Sequence, residues 1–173
     1  MTLQAAHRER RRPAADGSVG ELAPMVQILV QVTLDVFATM VRLPLAPSGP
    51  PSVGAARPPA GVIATVGFAG TANGLVSLGT SQTAGLEITG GMLGMDPASV
   101  EADLPDAIGE VTNMIAGTFR AKMVAGGEQW SITMPVVTVG HDLVGHSSGA
   151  IHVMCPFTMG AHALFVELAL QAE

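Results

Sequence analysis

Charge and aromatic rings are both scarce in this chain of 173 residues. Charged residues make up 13%, and aromatics only 3%, with five Phe, one Trp and no Tyr. The charged fraction is about half of the ~25% usual in soluble domains. So few rings leave little for a base-stacking platform on single-stranded nucleic acid. At 48% hydrophobic residues, the chain also lacks the low hydrophobicity and high net charge that signal disorder. Cys155 is the single cysteine, so no intrachain disulfide can form, which fits a reducing cytoplasm. It stands in an apolar run, residues 151–157, where a buried, inert thiol is expected rather than a nucleophile. The core must come from Val, Leu, Ile, Ala and Met.

Positive charge is scarce outside one short stretch. Arg8, Arg10, Arg11 and Arg12 are four of the eight basic residues. From Glu21 onward, four basic residues stand against twelve acidic ones, a balance of −8. Such a body is a poor binder of phosphate backbones. The Arg-rich residues 1–20 read as a solvated, disordered arm. Contact of that arm with nucleic acid or an anionic membrane is the alternative. The remainder, 21–173, is long enough for one domain with a sizeable core.

Residues 25–45 are apolar enough to raise the question of a membrane span. Gln27, Gln31, Asp35 and Arg42 interrupt them at steps of four, four and seven, which places all four on one helical stripe. Ile28, Val32, Val36 and Met40 are expected on the packed face. An Asp in mid-membrane costs about 2.5–3.5 kcal/mol, so a packed amphipathic helix fits better than a span. It would also break the apolar core of a secretory signal.

The coarse order follows from punctuation. A helix over about 21–42 precedes a Pro-rich loop at about 44–60, which cannot be helix interior or central strand. Strands at 61–69 and 75–78 flank Asn73-Gly74, a hairpin signal because both residues tolerate positive φ. Ser81 caps a helix over 82–93 that ends at Gly94. Pro105 suits the first turn of another helix reaching about Val124. Three β-like runs close the chain at 130–139, 151–158 and 163–170, with residues 141–149 linking the first two. Pro135 marks an edge or bulge in the first run. Hairpin-linked strands with few helices predict an α+β fold, an antiparallel β-sheet packed against long helices.

The segment with chemical content is Asp106-Ala-Ile-Gly-Glu110-Val-Thr-Asn113-Met-Ile-Ala-Gly117. Spacings of four, three and four put Asp106, Glu110, Asn113 and Gly117 on one helix face. Ile108, Val111, Ile115 and Phe119 form another, apolar face. On periodicity alone, a solvated polar face is the commoner explanation. His141, His146, His152 and His162 have spacings that match no familiar metal-ligand pattern. His146-Ser147-Ser148 offers hydroxyls near a base, without the geometry a nucleophile needs.

The segment resembles the Asp/Ser-x-x-x-Glu-x-x-Asn-x-x-x-Gly signature of the CheC/CheX/FliY family of chemotaxis phosphatases. Phe68-Ala-Gly70 with Gly74-Leu-Val-Ser-Leu78 resembles that family's hairpin. Gly91-Met-Leu-Gly94 resembles the end of its next helix. Met134-Pro-Val-Val-Thr-Val-Gly140 resembles the strand after the motif helix. The resemblance implies hydrolysis of the aspartyl-phosphate on a CheY-like response-regulator receiver domain. By carry-over, Asn113 orients the attacking water and Glu110 contacts the receiver, pairing with the lysine beside its phosphoryl group. Asp106 serves helix placement or docking rather than chemistry, and Gly117 serves docking by clearing space. No cofactor or metal of its own is implied, and Mg²⁺ belongs to the receiver. Gln31-x-x-x-Asp35-x-x-Ala38 and Thr83-x-x-x-Glu87-x-x-Gly90 both lack the amide. One site per chain points to the CheX-like branch, a cytoplasmic homodimer. A non-catalytic module that binds a receiver and relays its state is the alternative.

Overall fold

A computed structural model of the chain describes residues 19–125, 127, 129–145 and 150–171. The Arg-rich residues expected to form an arm fall outside these, apart from Val19 and Gly20, which begin the first helix.

That helix, α1 (Val19–Val36), continues through a π turn, Phe37–Val41. It ends where Arg42 takes a left-handed φ of 60° and its N–H donates to the Phe37 carbonyl at 2.7 Å. Residues 22–41 are long and apolar enough to cross a membrane by length and composition. Here Leu22, Val26, Leu29, Val32 and Val36 are buried against the rest of the chain. Gln27, Gln31, Asp35 and Arg42 are all exposed, as the polar stripe predicts. The expected apolar face is partly displaced. Ile28, in the regular α-helical part, is only half-buried, and Met40 is exposed where the wider π turn carries it off the 3.6-residue period.

The Pro-rich stretch is more ordered than a loop. It contributes two short strands, β1 (Ala46–Pro47) and β2 (Ser52–Val53), both antiparallel to a later strand. Prolines are tolerated there because these are edge positions. The hairpin β3 (Ala60–Gly70) and β4 (Gly74–Thr80) follows. Its turn differs from the expected one. Neither Asn73 nor Gly74 has positive φ. Asn73 closes the connection through its side chain, which accepts from the Gly70 N–H at 3.3 Å.

Helix α2 (Gln82–Leu93) starts at Ser81, whose hydroxyl accepts from the Ala84 N–H, and stops at Gly94 with φ 67°. Two 3₁₀ turns lead into α3 (Leu104–Ala125). The run expected as one strand at 130–139 is split into β5 (Trp130–Ile132) and β6 (Val136–Leu143). Pro135 interrupts it, since proline has no N–H for the ladder. His141 belongs to β6 rather than to the linking segment. The chain closes with β7 (Ala150–Met159) and β8 (His162–Gln171).

All pairings are antiparallel, in the order β1-β7-β8-β4-β3-β5. β2 shares the edge position of β1, and β6 shares that of β5. The three helices cover one face, burying Leu29, Phe37, Val62, Leu78, Ile108 and Phe119. This is the α+β architecture expected of the sequence. Residues 54–59 cross the opposite face, from Gly54 bonded to the His152 carbonyl on β7 to Ala60 on β3. A second small apolar cluster, Ala60, Ile63, Met154 and Phe165, lies on that face.

Candidate functional site

Helix α3 carries the motif, and its two faces separate as the spacing requires. Ile108, Val111, Ile115 and Phe119 are buried. Asp106 and Glu110 are exposed, while Asn113 and Gly117 are half-buried. The structure therefore brings all four motif residues onto one accessible face. Among the described residues, the side chains of Asp106, Glu110 and Asn113 take part in no hydrogen bond or ion pair. Asp106 lies in the first turn of α3, where the helix dipole favours negative charge.

Two glycines set how close α3 lies to the β5–β6 edge. A Cβ placed on Gly109 would meet Val137 Cγ2 at 3.1 Å and Pro135 Cγ at 3.6 Å. A Cβ on Gly117 would meet only Ile132 Cδ1, at 3.9 Å. Ile132 thus reaches the later turn of the helix, and Pro135 and Val137 reach the earlier one. Asn113 lies midway between them. The far end of the edge is fixed by aromatic packing. Trp130 stacks on Phe68 at 4.5 Å between ring centroids and leans on Phe119 at 5.6 Å. Arg120 Nε donates to the Trp130 carbonyl at 2.5 Å, and Trp130 Nε1 donates to Thr71 Oγ1 at 2.8 Å. Three of the six aromatics of the chain thus hold this edge to the motif helix.

The positions that lack the amide differ from the motif face. Asp35 accepts from Gln31 Nε2 at 2.8 Å and lines a shallow cleft of about 500 Å³ with Leu34, Ala38 and Arg42. None of the α3 motif residues lines it. Glu87 is engaged by His162 Nε2 at 3.0 Å. His152 Nδ1 lies 2.9 Å from Glu167 Oε1. His146, Ser147 and Ser148 lie outside the described residues. Among the described residues, no group of three His, Cys, Asp or Glu side chains could hold a metal ion. Cys155 is buried, and burial pushes its thiol up from about 9 to about 12.

One constellation is not legible in the sequence. Glu167, 1% exposed on β8, accepts from Arg57 Nε at 2.6 Å and also pairs with Arg57 Nη2. Arg57 reaches Ser77 Oγ as well, which lies 2.9 Å from Thr65 Oγ1. Register places Thr65, Ser77 and Glu167 in one row across the sheet face opposite the helices. Arg57 is 110 residues from Glu167, and only the strand register joins them. A single Glu in the otherwise continuous apolar run 163–170 is the available signal.

The family model described as chemotaxis phosphatase CheX matches residues 62–158. Among solved structures, a chemotaxis protein CheX from Desulfovibrio desulfuricans is 29% identical, with a TM-score of 0.78 over 86% of this chain and 99% of that one. A CheC-like superfamily protein from Shewanella sp. PV-4 is 25% identical, with a TM-score of 0.78 over 86% of this chain and 97% of that one. A chain from the CheX–CheY–BeF₃–Mg²⁺ complex of Borrelia burgdorferi has the same fold at 20% identity, with a TM-score of 0.72 over 86% and 98% of the two chains. No curated protein sequence matches the chain.

Proposed function

The chain belongs to the chemotaxis phosphatase CheX family, and we propose that it hydrolyses the aspartyl-phosphate of a CheY-like receiver domain. The observation that carries this reading is the pair Glu110 and Asn113 on an accessible face of α3, with both side chains uncommitted. A group that must seize a partner or a water cannot be tied up within its own chain. The Borrelia burgdorferi relative, solved together with CheY, BeF₃ and Mg²⁺, supports the choice of partner.

In this reading, Asn113 holds a water in line with the phosphorus. Its carboxamide can accept from that water and donate to a phosphoryl oxygen. The water oxygen forms the new bond to phosphorus as the aspartyl oxygen departs with its bonding pair. The amide takes no proton, so the water's proton passes to the released phosphate or to solvent. Positioning of this kind suits phosphoryl transfer, where little covalent chemistry is asked of the enzyme. Glu110 pairs with the lysine beside the receiver's phosphoryl group, and Asp106 steers docking. Mg²⁺ comes with the receiver.

The same reading takes the chain as a cytoplasmic homodimer with one site per subunit.

Phosphate release from a panel of phosphorylated receivers tests the function. Release faster than the receiver's own rate is expected, with Asn113→Ala returning it to that rate. Binding without acceleration on any cognate receiver would reassign the chain as a relay module.

A further inference from the structure

The most exposed large hydrophobic residue among those described is Met134, at 83%. Its place is set by a bulge. Phe68 pairs with Ile132 and Thr65 with Val136. Two residues of β3 therefore face three on the edge, Thr133, Met134 and Pro135. Bulges re-aim side chains and are frequent beside functional sites.

Both neighbours of Met134 are fixed. Thr133 N–H donates to the Gly67 carbonyl at 2.9 Å, and its hydroxyl accepts from the Gly67 N–H at 2.9 Å. Pro135 packs toward Gly109 of α3. Ile132 reaches the Gly117 turn and Pro135 reaches the Gly109 turn, so Met134 stands level with the turn that holds Asn113. A flexible apolar side chain is thus presented to solvent by a rigid backbone, beside the motif face.

We propose that Met134 is a partner-contact residue that determines how tightly the phosphorylated receiver seats over Asn113; this rests on the phosphatase reading. Size argues for it. A standard interface covers about 800 Å² per partner, roughly a disc of 16 Å radius. A receiver that brings its phosphoryl group to Asn113 therefore covers the adjacent edge and Met134 with it. Methionine is suited to such a place, because its unbranched, polarizable side chain fits irregular partner surfaces.

Val136 supplies the internal control. It is 68% exposed, two residues away, and lies on the sheet face opposite the helices. It pairs with Thr65, whose hydroxyl meets Ser77 opposite the helices, whereas Val137 faces Gly109. A charge introduced at Val136 therefore lands on the sheet face opposite α3, away from the motif face.

The experiment measures kcat and KM for a phosphorylated receiver with Met134→Lys, Met134→Leu and Val136→Lys, and the oligomeric state of each by light scattering. Met134→Lys should raise KM roughly five- to tenfold, as expected for loss of one interface anchor, with kcat nearly unchanged. Met134→Leu and Val136→Lys should stay close to the parent. An unchanged KM in Met134→Lys, while Asn113→Ala abolishes acceleration, overturns the role of Met134 and leaves the phosphatase reading standing. A raised KM accompanied by dissociation of a dimer, shared by Val136→Lys, assigns Met134 to a contact between copies and also overturns it. If the parent accelerates no receiver, the phosphatase reading fails. Titration with a beryllofluoride-activated receiver then decides: weaker binding by Met134→Lys alone supports the contact, and equal or absent binding rejects it.

Discussion

Asn113 is half-buried on α3 and bonded to nothing else in the described chain, so its removal separates chemistry from stability. Asn113→Ala should lose about 10²-fold or more of the receiver-dependent rate, the scale associated with losing a preorganised polar group, while its melting temperature stays within a degree or two. Asn113→Asp keeps the shape and adds a negative charge that, in the proposed reading, would face the phosphoryl group. It should be no faster than Ala, and a phosphate-release time course distinguishes this from a purely steric role. Cys155 makes the opposite case, a reactive group type that the fold silences. Burial raises its thiol to about 12 in the folded chain, so the thiolate that reacts with maleimide is nearly absent at pH 8. Labelling at pH 8 should proceed only as fast as the chain opens, and should become rapid in denaturant. The sign of the linked pH effect follows. Between about 9 and 12 the unfolded thiol loses its proton while the folded one keeps it, so the unfolded state binds fewer protons. Stability from this residue is complete below pH 9 and falls as pH rises through that window, measurable as a declining urea midpoint.

At the scale of elements, α3 shows what local sequence can and cannot disclose. Its start near Pro105, its two faces and the alignment of Asp106, Glu110, Asn113 and Gly117 were all legible, because a 3.6-residue period needs no knowledge of distant residues. Ser81 and Gly94 bounded α2 for the same reason, since capping is chemistry between near neighbours. What escaped was the closeness of another element. The motif marks Gly117 as a clearance, yet a Cβ there would have 3.9 Å to its nearest neighbour, Ile132 Cδ1. Gly109 is the tighter of the two, since a Cβ there would lie 3.1 Å from Val137 Cγ2, and that partner lies on a strand no local pattern could position. The two should therefore respond differently. Gly117→Ala should be neutral or stabilise by up to about 1 kcal/mol through helix propensity, seen in thermal melts. If it weakens receiver binding as well, the clearance serves the partner. Gly109→Val should force α3 off the β5–β6 edge and cost about 1–3 kcal/mol by overpacking, with loss of phosphatase activity. The same limit explains the edge strands. Pro135 flagged an interruption, but the split into β5 and β6, and the capture of residues 46–47 and 52–53 by β7, depend on which strands lie alongside.

For the whole molecule, the scarcity of charge gives weight to the few charged groups that are buried. The helices cover one face of the sheet, and residues 54–59 pass over the other, where Arg57 descends onto Glu167 and Ser77. This contact spans the sheet from its β7 edge toward β3 and ties the Pro-rich stretch to strands far away in sequence. Glu167 is nearly inaccessible to water, and a buried carboxylate survives as an ion only while it is paired and hydrogen-bonded. Arg57→Met keeps much of the apolar stem but removes the guanidinium, leaving Glu167 with His152 as its remaining ionisable partner. Breaking such a pair from one side typically costs about 3–5 kcal/mol, a large share of the 5–15 kcal/mol that holds most domains folded. His152 should bring the loss toward the lower end of that range. Replacing both partners, as Arg57→Met with Glu167→Gln, removes the stranded charge and should recover part of the loss. A double-mutant cycle in urea measures the difference: non-additivity above about 1 kcal/mol is expected for groups in direct contact, and strict additivity would mean the strap is held by its backbone and prolines alone. Because this pair lies on the sheet face opposite Asn113, the partly restored double variant should keep the parent's kcat toward a phosphorylated receiver.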